Sequence, residues 1–80
     1  MKAKEMFEEL GYEIVYENKE VLRYRLNRVY IEFWKVYERI TGEKIKELLR
    51  ISTTDDRPYL LNMKELKAIN KQVEELGWDE

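Results

Sequence analysis

Between Tyr12 and Phe33 apolar side chains recur at every second position: Tyr12, Ile14 and Tyr16, then Leu22, Tyr24 and Leu26, then Val29, Ile31 and Phe33. Successive side chains of an extended chain point to opposite faces, so this period of two predicts half-buried strands. Pairing 16 with 22, 14 with 24 and 12 with 26 centres a first hairpin on Lys19, with a turn of three or five residues around Asn18. Pairing 26 with 29, 24 with 31 and 22 with 33 leaves Asn27-Arg28 as a two-residue turn. Asn suits a positive φ there, and Arg is a poorer choice than the usual Gly. Both registers gather the apolar residues on one face, which a slip of one residue would scatter.

The alternation is flanked by two stretches with helical spacing. Ala3, Met6, Phe7 and Leu10 stand at i, i+3, i+4 and i+7, predicting a short helix over 2–10 that Gly11 closes in a left-handed conformation. Tyr12 and Phe7 then occupy the two positions whose apolar contact accompanies such an ending. Near the other end, Asn62 and Glu65 have the spacing of a capping box, with Leu61 and Leu66 as its staple. Met63, Leu66, Ile69, Val73 and Leu76 form the expected buried stripe, and Gly77 with Trp78 repeats the stop signal. FEELGY at 7–12 and VEELGW at 73–78 are one helix-stop solution used twice, since nothing else between the ends matches.

Residues 34–54 admit two readings. In one, Trp34 to Ile40, a turn at Thr41-Gly42-Glu43 and Lys44 to Thr54 form a long hairpin. In the other, EKIKELLR at 43–50 is a helix built on Ile45, Leu48 and Leu49. The β-branched run Ile51-Ser52-Thr53-Thr54 and the preceding strand favour the hairpin. Asp55-Asp56-Arg57-Pro58 leads as a loop into the last helix. The expectation is a single α+β domain over 1–80: a short N-terminal helix, an antiparallel meander of three to four strands, and a capped C-terminal helix packed on the sheet.

Composition excludes much chemistry. With no Cys and no His among 80 residues, there are no disulfides, thiol nucleophiles, usual zinc ligands or histidine-based acid–base groups. The formal charge of −2 supplies no global basic field for nucleic acid. Its distribution is uneven: residues 21–50 carry 8 basic against 4 acidic residues, while each end is acidic. The N-terminus has no apolar core of a signal peptide, and no apolar run reaches the roughly 18 residues of a membrane span. A cytoplasmic protein is expected.

Glu8-Glu9 and Glu74-Glu75 diverge by about 100° on a helix and cannot converge on one ion. Asp55-Asp56 has oxygen ligands for Mg²⁺ or Ca²⁺, but a solvated turn is the simpler reading. The three glycines are isolated, so there is no phosphate loop, and Ser52, the only serine, has no recognisable base beside it. No enzyme, metal or cofactor is expected.

Two surfaces remain. Arg23, Arg25 and Arg28, interleaved with tyrosines, resemble a sheet face that stacks bases and holds phosphates. The derived register neutralises part of it, placing Arg25 opposite Glu13 and Arg23 opposite Glu32. The same face carries Val15, Val21, Tyr30, Trp34 and Val36, an apolar patch of the kind that marks a protein interface unless another element covers it. Protein binding through these five residues is the favoured expectation. Nucleic-acid binding through the three arginines is the alternative.

AKEMFEELGY (3–12) and MKELKAINKQVEELGW (63–78) resemble the ends of small proteins encoded by temperate phages and prophages of low-GC Gram-positive bacteria. The resemblance covers about a third of the chain, mostly at core and capping positions. It implies an accessory protein acting in the cytoplasm of an infected or lysogenic cell, and it carries over no catalytic or binding residue. The segment from Val36 to Pro58 departs from the pattern.

Overall fold

The computed structural model describes residues 1–78, with residue 45 described by its backbone alone. The elements run α1 (Ala3–Glu9), β1 (Glu13–Glu17), β2 (Val21–Leu26), β3 (Val29–Tyr37), β4 (Lys44–Thr53) and α2 (Met63–Glu75). This is an α+β fold whose four strands form an antiparallel meander in the order β1-β2-β3-β4. The backbone groups into two compact units, one formed by Met1–Glu13 with the stretch from Leu60 onward, the other by Ile14–Tyr59.

In the helical unit both stop signals act as expected. Tyr12 donates its N–H to Phe7 O at 2.9 Å and Gly11 to Glu8 O at 3.0 Å, with Gly11 at φ 97°. Trp78 and Gly77 repeat this on Val73 and Glu74, at 3.0 and 3.1 Å. Only a residue without Cβ takes that left-handed φ at no steric cost, so each glycine frees the chain to fold back on its own last turn. The ring of Tyr12 then meets Phe7 edge-on, centroids 5.6 Å apart.

The capping box of α2 forms: Asn62 Oδ1 accepts from Glu65 N at 2.8 Å, and Glu65 Oε1 accepts from Asn62 N at 2.9 Å. The buried stripe differs from the expected one. Glu65, Ala68, Ile69 and Gln72 are buried, whereas Met63 is 65 % and Leu66 38 % exposed. Two attachments turn the helix. The hydroxyl of Tyr12 donates to Glu65 Oε2 at 2.6 Å, and the backbone N–H of Ala3 donates to Glu75 Oε2 at 2.7 Å. A polar side chain with its hydrogen bonds satisfied tolerates burial, so Glu65 faces inward in place of its apolar neighbours.

In the sheet, β2 and β3 pair as derived, with Leu22 opposite Phe33, Tyr24 opposite Ile31 and Leu26 opposite Val29. Leu22, Tyr24, Ile31 and Phe33 are buried on this inner face, and Tyr24 meets Phe33 edge-on at 6.3 Å. The turn between these strands takes a positive φ at Asn27 (54°) but not at Arg28. That is the φ pattern of a II′ turn, which explains why Arg is accepted at its second position.

The hairpin reading holds for residues 34–54. β4 is a ten-residue strand paired along β3, from Val29 opposite Thr53 to Tyr37 opposite Lys44, with a bulge where the register steps between Val36 and Tyr37. Helix propensity in EKIKELLR yields to a ladder of cross-strand partners that only the tertiary fold supplies.

The first hairpin departs from expectation. Asn18 N donates to Val21 O at 2.9 Å, closing a two-residue loop, Lys19-Glu20, instead of one centred on Lys19. The cause is local: Asn18 Oδ1 accepts from both Glu20 N and Val21 N at 2.8 Å, folding the chain back tightly. At this end the register is one residue out of step with the alternation. Tyr16, expected on the inner face, is 48 % exposed, with the Arg23 guanidinium 5.6 Å from its ring centroid.

Candidate interaction surface

The outer face of β2–β4 is built around one buried carboxylate. Glu32, 5 % exposed, stands between Arg23 on β2 and Arg50 on β4. Its Oε2 lies 2.5 Å from Arg23 Nε. Its Oε1 accepts the indole N–H of Trp34 at 3.1 Å and lies 4.0 Å from Arg50 Nε. A guanidinium donor from β2, an indole N–H on its own strand and the nearby charge of Arg50 on β4 offset the cost of burying the carboxylate. Residues two apart on a strand share a face, so the bond from Trp34 to Glu32 holds the indole on the side opposite Phe33.

Around this centre the expected patch is partly present. Trp34, Tyr30 and Val36 are half-buried. Val15, 39 % exposed, leaves the patch: Tyr16 stands beside Arg23 on the outer face, so its neighbour along the strand turns to the other one. Val21 does not belong to the patch either: at 6 % exposure it is buried, and its cross-strand partner is Trp34, whose far larger indole stands beside the small valine. Leu48, the partner of Trp34 on the other side, is 46 % exposed. It belongs to the surface, and its sequence signal was blurred because EKIKELLR also carries a helix stripe, the less favoured reading.

The three arginines do not converge on one site. Arg23 is held by Glu32. Arg25 donates from Nε to the carbonyl of Asn27 at 3.2 Å and makes no ion pair among the described residues. Arg28, on the turn, reaches Asp55 at 3.5 Å. The Asp55-Asp56 loop is likewise tied to the fold, with Arg57 Nε 3.7 Å from Asp55. Among the described residues no three acidic side chains gather as a metal ion would require, and no helix is long and apolar enough to cross a membrane. Ser52 stands opposite Tyr30 on the outer face.

The face is nevertheless strongly one-sided in charge. Register places Arg23, Arg25, Lys46 and Arg50 on it against the single acid Glu32, in a chain whose net charge is −2. On the inner face Lys35 and Glu47 stand opposite each other. Comparison of the chain with protein-family models, curated proteins and solved structures finds no match.

Proposed function

We propose that the chain is a small non-catalytic protein-interaction module that engages a host protein or a second copy of itself through the outer sheet face and the β4 edge. The observation that carries this reading is the adjacency of half-buried Trp34 on β3 and exposed Leu48 on β4, a strand paired on one side only among the described residues. Aromatic and aliphatic side chains beside an open edge supply both the apolar anchor and the main-chain hydrogen bonds of strand-type recognition. The likeness of residues 3–12 and 63–78 to phage-encoded proteins supports an accessory role in the cytoplasm of an infected or lysogenic cell.

The test is capture from lysate of such cells with the wild-type chain, Trp34→Ala and Leu48→Ala, with folding followed by circular dichroism. Both variants fold, and both lose the captured protein. Loss of the fold in Trp34→Ala would make the indole a core residue and remove the surface.

Nucleic-acid binding through Arg23, Arg25 and Arg28 competes with this reading, supported by the basic excess of the outer face. Against it, each of the three guanidinium groups already has an acceptor within the fold. A salt titration with single-stranded RNA and DNA separates the two, because phosphate contacts make affinity fall steeply with salt.

A further inference from the structure

Building on the protein-interaction reading, we propose that the open edge of β4 takes up an extended acidic segment of a partner protein as an additional strand, with carboxylates flanking an aliphatic residue at alternate positions. The outer-face row of β4 reads Lys46, Leu48, Arg50, all exposed. Among the described residues Lys46 makes no ion pair, and Arg50 only the 4.0 Å approach to Glu32. A strand laid antiparallel along this edge presents every second side chain to that row. Two acidic residues four positions apart therefore meet Lys46 and Arg50, and the aliphatic residue midway between them meets Leu48.

The acid on β4 does not oppose this. Glu47 points to the other face, where it stands opposite Lys35 and accepts from Lys44 Nζ at 2.9 Å. A second copy is a poorer occupant, because an antiparallel pairing that stacks Leu48 on itself sets Lys46 against the second copy's Arg50. Nucleic acid is poorer too: the indole of Trp34 is half-buried and tied to Glu32, and Tyr16 already carries Arg23 over its ring.

The experiment is fluorescence anisotropy with three labelled probes of about equal length: a peptide alternating threonine with Glu, Val and Glu, the same peptide with Lys for Glu, and a single-stranded RNA. Amide hydrogen exchange is followed in parallel. The acidic peptide binds, the basic one does not, and alternate amides of β4 gain protection. Lys46→Glu with Arg50→Glu weakens acidic-peptide binding by about tenfold or more. Lys46→Glu alone, which brings no new carboxylate to Glu32, weakens it in the same direction. Acidic-peptide binding that is lost in Trp34→Ala but leaves β4 unprotected would overturn the edge and keep the face. Failure of every probe, while Trp34→Ala still abolishes capture from lysate, would overturn the acidic strand alone. Protection of β4 in a dimer without peptide would replace the acidic segment with a second copy, and binding of RNA alone would overturn both readings.

Discussion

The hydroxyl of Tyr12 donates to Glu65 Oε2 at 2.6 Å, joining the residue that follows the α1 stop signal to the third position of α2. Both side chains are 2 % exposed. Tyr12→Phe keeps the ring against Phe7 and removes one donor from a buried carboxylate. A loss of about 1–3 kcal/mol is expected, read as the shift in a urea unfolding midpoint at unchanged slope. A change of a few tenths would mean that Glu65 is satisfied without the hydroxyl.

Glu32 holds two side chains at once. In Glu32→Ala the half-buried Trp34 indole N–H and the Arg23 guanidinium lose their acceptor. The expected cost is about 2–3 kcal/mol. Glu32→Gln, which retains an acceptor for the indole, costs less. The indole N–H resonance of Trp34 should shift strongly in the first variant and weakly in the second.

The turn at Asn27-Arg28 demands a left-handed backbone at its first residue alone. Asn27→Ala should destabilise by about 1 kcal/mol, while Asn27→Gly should be neutral or slightly stabilising. Arg28→Gly should gain nothing, as its φ is not positive. A clear gain in thermal stability for Arg28→Gly would point to a turn that is left-handed at both residues.

Asp55 makes a local acid-side prediction. Desolvation works to raise its pKa, but hydrogen bonds from the Thr53 hydroxyl and the backbone N–H groups of Arg57 and Asp55 itself, with the charge of Arg28, outweigh it and hold the carboxyl below its ordinary value. A depressed carboxylate contributes stability that is present above its unfolded pKa and lost as pH falls through the folded one. The group is exposed, so the contribution is small. The carboxyl carbon resonance of Asp55 should titrate below the usual aspartate midpoint. Asp55→Asn should remove that part of the acid dependence, and a midpoint at or above the usual value would show that the loop does not favour the charge.

Different parts of this fold were legible to different degrees. The helix ends were plain, because a glycine after an apolar stripe and an Asn–Glu box act within a few residues. The β2–β3 register was equally plain, since its two-residue turn and its alternation agree. β1 was misread where Asn18 takes two backbone N–H groups with its side chain and shortens the loop, a preference that apolar spacing does not reveal. The stripe of α2 was misread because spacing ranks residues by hydrophobicity, whereas burial of Glu65 depends on Tyr12, a residue distant in sequence. Of the candidate surface, Trp34, Tyr30 and Val36 could be placed from strand parity, whereas Val15 was lost with the shifted register of β1. Leu48 could not be placed, because its segment is spaced for a helix as well as for a strand.

By itself the sequence determined which elements form, where most of them stop and which face of β2 and β3 turns inward, since capping and alternation are written in neighbouring residues. Tertiary structure settled residues 44–53 as a strand along β3, brought Trp34 and Arg50 to the Glu32 that register had already set against Arg23, and left the outer face of β2–β4 with four basic groups against one acid. Each of those outcomes depends on which strand lies beside which, and side chains brought together across strands have no spacing along the chain by which to be recognised.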